Sequence, residues 1–116
     1  MSTAVNLDER QRRIAQNEAL FRKVNERIND VQEALSAFTG TLEIVCECGT
    51  IECAELLSIT TDDYESLRSE ATWFAVTPGH EIVAVEKVVA SRDGYDIVEK
   101  RPGPPAEEAE ATDPRS

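Results

Sequence analysis

Cys46-Glu47-Cys48-Gly49-Thr50-Ile51-Glu52-Cys53 is the stretch that decides how this chain folds, because it gathers three thiols within eight residues. Three cysteines cannot all pair within one chain, and Met1 to Asp8 show no basic-then-apolar export pattern. Such cysteines point to metal binding or thiol chemistry before a disulfide scaffold. A zinc knuckle brings two thiolates to one point through a tight turn, and Gly49 is expected to supply the backbone freedom that turn needs. The commonest knuckle spacing is C-x2-C and this one opens C-x-C, but other short spacings also reach one metal. Cys53 follows as a third ligand. A tetrahedral site needs a fourth, and the only histidine, His80, follows the Pro78-Gly79 turn. The expected cofactor is therefore one structural Zn2+ held by Cys46, Cys48, Cys53 and His80. A three-cysteine site with another fourth ligand, and metal-free buried thiols, remain alternatives: strand alternation alone would bury Cys46 and Cys48 on one face.

Working outward, the period on both sides is two. Leu42, Ile44 and Cys46 alternate with Glu43, Val45 and Glu47, a strand that runs into the cysteine turn. Leu56, Leu57 and Ile59 suggest a second strand. Thr60-Thr61-Asp62-Asp63 is a helix start, a threonine cap followed by acids, for a helix from about Asp62 to Ser69. Trp73 to Val76 reads as a third strand; Val85 to Ala90 and Tyr95 to Val98 read as two more, joined by the Arg92-Asp93-Gly94 turn. Residues 41–100 are thus expected to form a small antiparallel, zinc-ribbon-like α+β domain. A core of that size rarely supplies more than about 3–5 kcal/mol, whereas structural zinc contributes about 10–16 kcal/mol in finger peptides.

Residues 8–40 read as one long amphipathic helix. Leu7, Ile14, Phe21, Ile28 and Leu35 form one seven-residue series; Arg10, Asn17, Val24, Val31 and Phe38 form the other. Gly40 supplies a stop. A rod from Asp8 to Phe38 is about 45 Å long at about 1.5 Å per residue, more than a sixty-residue domain covers. Phe21, Val24, Ile28 and Val31 are the expected contact residues, for a protein partner or for a homodimer of coiled-coil type. In parallel copies Arg13 and Glu18 would pair across the seam, and Asn17 either sets the register or lies beyond the contact. Residues 1–7 are expected to be flexible. Residues 101–116 (RPGPPAEEAEATDPRS) lack large apolar side chains and are expected to be a disordered acidic, Pro-rich tail.

The net charge of −11 is concentrated: residues 41–100 carry thirteen acids against four bases, while residues 1–40 carry six of each. An acidic domain repels phosphate backbones, so nucleic-acid binding is disfavoured, although the arginines of the long helix keep it in view. No apolar run reaches the roughly 18 residues that span a membrane, and the expected compartment is the cytoplasm. Enzyme signals are missing. H-E-x-x-H fails at Ala84, the deaminase H-x-E fails at Ile82, no Gly-rich phosphate loop is present, and Ser58, Ser66 and Ser91 have no histidine to activate them. Three thiolates and an imidazole would leave zinc no open position for catalysis, so no small-molecule substrate is implied.

The run CECG with Cys53, then Thr60…Tyr64-Glu65, Phe74-Ala75-Val76-Thr77-Pro78-Gly79-His80-Glu81, Val88-Val89 and Tyr95…Val98-Glu99-Lys100, resembles a group of small actinobacterial proteins of unknown function. The segment from Arg13-Ile14 to Glu26-Arg27 fits the same group. The resemblance spans roughly residues 8–100, with CECG and PGHE its most specific pieces. It brings no activity to transfer and implies a free-standing bacterial protein. The function expected from the residues is a zinc-stapled protein-interaction module. The alternative is a redox switch, in which oxidation of zinc thiolates ejects the metal.

Overall fold

The computed structural model describes the backbone of residues 3–115 and the side chains of residues 9–115, and its fold is α+β. Helix α1 (Thr3–Val31) is followed by α2 (Glu33–Thr39), β1 (Thr41–Val45), β2 (Leu56–Thr60), α3 (Thr61–Arg68), β3 (Trp73–Val76), β4 (Glu86–Arg92), β5 (Tyr95–Lys100) and α4 (Pro104–Ala111). Strands β1 and β2 form an antiparallel ribbon in register from Thr41↔Thr60 to Val45↔Leu56. The ten residues between them carry the cysteines. A second antiparallel sheet has the order β3-β5-β4. Its β4–β5 hairpin closes at Gly94 (φ +90°) and bulges between Val88 and Ala90.

Local chemistry explains most boundaries. The Thr60 hydroxyl accepts the Asp63 N–H at 3.0 Å and starts α3. Gly40 ends α2 with φ +74°, its N–H donating to the Ser36 carbonyl at 2.7 Å. Alternation then aims Leu42, Ile44, Leu57 and Ile59 of the ribbon at Tyr64 and Leu67 of α3 and at Phe74, Val76, Ile97 and Val98 of the second sheet, forming one core. The two sheets meet at the cysteine segment, where the Glu47 N–H donates to the Ala75 carbonyl at 2.8 Å.

Three expectations are corrected. The expected single helix is interrupted at Gln32 (φ −97°, ψ 11°), and it begins at Thr3 rather than Asp8; Met1 and Ser2 of the expected flexible segment lie outside the described residues, as does the side chain of Leu7. Second, α1 docks on the domain through a largely polar face. Ala15, Glu18, Arg22 and Asn25 are its buried residues, whereas Val24 and Val31 of the apolar seam are exposed. The face is chosen by hydrogen bonding: buried carbonyls and carboxylates of the domain need donors and counter-charges that valine cannot supply. Third, residues 101–116 contain a packed helix. Pro104 and Pro105 stand in the first turn of α4, where a missing N–H costs nothing. The Arg22 guanidinium donates to the Ala109 carbonyl at 2.8 Å and the Thr112 hydroxyl at 3.0 Å, and Pro105 and Ala109 are the buried residues of α4.

Candidate metal centre

One ligand atom from each of Cys46, Cys48, Cys53 and His80 lies within 4.8 Å of all the others. The His80 Nδ1 is 3.8 Å from the Cys46 Sγ and 3.6 Å from the Cys53 Sγ. A tetrahedral zinc with sulfur at about 2.3 Å and nitrogen at about 2.0–2.1 Å would set those edges at about 3.6 Å. All three cysteines are free thiols. The four residues singled out in the sequence for this role are therefore brought together, from segments as far apart as Cys46 and His80.

The local fold aims each of them. Cys46 leaves β1 with its N–H on the Glu55 carbonyl (2.9 Å), so the ends of the cysteine loop are clamped. The Cys53 N–H donates to the Thr50 carbonyl at 3.0 Å, a turn that swings the third thiol back. After β3, the His80 N–H donates to the Thr77 carbonyl at 2.9 Å across Gly79, whose φ of +89° suits only glycine. The Thr77 N–H itself donates to the Cys46 Sγ at 3.2 Å, which ties the end of β3 to the first thiol. Cys46 and Cys48 are buried, while Cys53 and His80 are half-buried at a shallow opening bordered by Glu52 and Glu55.

Burial pushes the Cys48 thiol up to about 12, the neighbouring Cys46 adding to the effect against a lowering hydrogen bond from the Thr50 backbone. Without a cation Cys48 is held as the neutral thiol. A divalent ion would have to displace its proton, as zinc does when it binds thiols.

Gly49 is needed for a different reason than expected. It does not belong to the glycines with positive φ. A Cβ there would stand 2.4 Å from the Ile14 Cγ2 and 3.2 Å from the Ile82 Cδ1, so the residue is small because α1 lies directly on the turn. Asn17 of α1 donates to the Gly49 carbonyl at 2.9 Å, which makes it a clasp on the cysteine loop rather than a residue of a helix–helix seam. Glu18, expected to face Arg13 of a second copy, is instead buried against Lys100.

Sequence reasoning missed the buried polar frame around the centre. Glu47, between two candidate ligand cysteines, accepts from both terminal guanidinium nitrogens of Arg68, from Asn25 of α1 at 2.7 Å and from the Ala75 N–H at 3.0 Å. Asn25 closes the frame by donating to the Val45 carbonyl and accepting the Val45 N–H, both at 2.8 Å. Alternation that turns Cys46 and Cys48 inward would turn Glu47 outward, so no local signal in the sequence marks its burial. Of the expected contact residues, Val24 and Val31 are exposed, Phe21 is half-buried, and Ile28 packs against the core.

With this geometry in hand, comparison with known proteins adds nothing further: no family model, curated protein or solved structure matches the chain. Among the described residues no helix is long and apolar enough to cross a membrane.

Proposed function

We propose that this chain is a small zinc-stapled module, zinc-ribbon-like at its cysteine loop, that works by protein contact rather than catalysis. The convergence of three thiols and one imidazole within 4.8 Å carries the reading. Thiolate-rich donor sets select soft or borderline cations, and four ligands close the coordination shell, as in structural zinc sites. The centre sits where α1, β1 and β3 meet, so an ion there ties the helix and both sheets together. The acidic strands and helix suit a protein partner better than nucleic acid, and the reading places the protein in the cytoplasm of a bacterium.

Native mass spectrometry of freshly purified protein tests it. One zinc per chain is expected, and Cys48→Ser should lose both the ion and the cooperative melt, because binding energy is folding energy. Reduced, metal-free protein that melts like the metal-bound form would overturn the reading. The redox-switch alternative is less well supported, since only Cys53 of the three thiols reaches the surface.

A further inference from the structure

The two halves of the metal centre are built differently. Cys46 and Cys48 are each 1% exposed and lie in the framed part of the loop. The Cys46 Sγ accepts the Thr77 N–H at 3.2 Å, and the Cys46 N–H donates to the Glu55 carbonyl at 2.9 Å. Between the two thiols Glu47 is held by Arg68 and Asn25, and just beyond them Asn17 of α1 donates to the Gly49 carbonyl at 2.9 Å. Moving either thiol means breaking buried polar contacts, which are costly to leave unmade.

Cys53 and His80 belong to surface turns. Cys53 follows exposed Ile51 and Glu52, in the turn closed by its N–H on the Thr50 carbonyl at 3.0 Å. His80 follows exposed Pro78 and Gly79, in the turn closed by its N–H on the Thr77 carbonyl at 2.9 Å. Both residues are half-buried, and the Cys53 Sγ and the His80 Nδ1 are 3.6 Å apart. The opening beside them is lined by Thr50, Glu52, Cys53, Ala54, Glu55 and His80; among the described residues it takes in these two ligands and neither buried thiol. Segments held by exposed turn hydrogen bonds, with few buried contacts, are the ones that open at least cost.

We infer that the ion enters and leaves through the Cys53–His80 edge, with Cys46 and Cys48 as the retained half of the site. The inference rests on the structural-zinc reading and adds the route and order of exchange. A soft electrophile from outside meets Cys53 first. With a maleimide, the Cys53 sulfur exchanges its bond to the ion for an S–C bond to the ring, whose double-bond electrons take a proton from water. The thioether that remains binds zinc poorly, so Cys53 is lost as a ligand, and Cys46 and Cys48 each take up a proton as the ion departs. Glu52 and Glu55 act on the same route: an acidic lip draws in a cation and holds off an anionic chelator.

Native mass spectrometry first establishes the zinc content of the full-length protein; limiting N-ethylmaleimide with peptide mapping then reads the order. Cys53 should carry the first label about tenfold more often than Cys46 or Cys48, and zinc loss should keep pace with that label. Equal labelling of the three, the mark of whole-domain unfolding, or labelling that starts at Cys46 or Cys48, overturns the inference and leaves the zinc reading standing. A folded, reduced chain with no zinc at the outset fails the zinc reading, and the inference with it. Glu52→Gln with Glu55→Gln probes the route without touching a ligand. At low salt this variant should lose zinc to the anionic chelator EDTA about two- to fivefold faster than wild type. Glu33→Gln with Glu43→Gln is its control, the same loss of charge on exposed acids that do not line the opening. A lip variant that loses zinc no faster than this control overturns the route.

Discussion

Arg68 holds Glu47 through its two terminal guanidinium nitrogens, Nη1 at 2.8 Å and Nη2 at 2.7 Å, with neither side chain more than 1% exposed to solvent. Glu47 is flanked by two of the four candidate ligands, so the geometry of Cys46 and Cys48 is fixed from behind by an ion pair belonging to α3. Residues that fix the backbone around metal ligands commonly set the rigidity of a site in this way. Here every lone-pair direction of the carboxylate is engaged, which offsets the desolvation of the pair.

Removing one side of the pair should therefore be severe. Glu47→Ala leaves a buried guanidinium alone and is expected to cost about 3–5 kcal/mol in chemical denaturation. Glu47→Gln, which keeps the shape, should cost less but still loosen metal binding about 10–100-fold in a chelator competition. A loss below about 1 kcal/mol for the alanine variant would show that the pair does not organise the loop.

Gly49→Ala probes the contact between α1 and the cysteine turn. The added methyl meets the Ile14 Cγ2 at 2.4 Å, and overpacking of this kind costs about 1–3 kcal/mol. Combining it with Ile14→Ala, which removes the obstructing atoms, should recover much of that loss. Strict additivity in the double-mutant cycle would mean that the two residues do not touch.

The elements that were legible in the sequence are those whose signals are local. Alternation marks β1 and β2, the Thr60 cap marks α3, and donor chemistry alone picks out Cys46, Cys48, Cys53 and His80. What was not legible is long-range. Arg22 is one of the α1 arginines that kept nucleic-acid binding in view, yet its guanidinium satisfies carbonyls at Ala71 and Ala109 and stacks 4.7 Å from the Phe74 ring centroid. The heptad series from Ile14 to Phe38 is real as a pattern but does not say which face docks. That choice is made by partners such as Glu47 and Lys100, far away in the chain.

The last segment offers a direct check of such a long-range interaction. Deleting residues 104–116 removes two of the three acceptors of Arg22 and the Arg115 fork onto Glu26 and Glu65. Amide exchange should show protection across Glu107 to Thr112 in the full chain, and truncation should cost about 1–3 kcal/mol. Exchange at the unprotected rate throughout this segment would mean that α4 is not docked in solution.

A second buried cluster gives a pH dependence. Lys100 donates to Glu18 and, at 2.8 Å, to Glu86, all three side chains being at most 1% exposed. Two carboxyls share one ammonium. Burial raises Glu18 well above the usual carboxyl range, the adjacent Glu86 adding to the effect while Lys100 opposes it. A carboxyl raised on folding contributes stability that is full below its unfolded value near 4.5 and lost as pH climbs through the folded one. Stability measured by denaturant titration should therefore carry a falling component on the alkaline side, and Glu18→Gln should flatten it. An unchanged profile in the glutamine variant would place the dependence elsewhere.

The central claim, a Cys3His structural zinc, is tested most directly by X-ray absorption at the zinc edge on protein purified without added metal. Cys46, Cys48 and Cys53 should appear as three sulfur neighbours at about 2.3 Å, and His80 as one nitrogen at about 2.0–2.1 Å. A first shell dominated by oxygen, or a sample with no zinc edge although the protein is folded and reduced, would contradict the account.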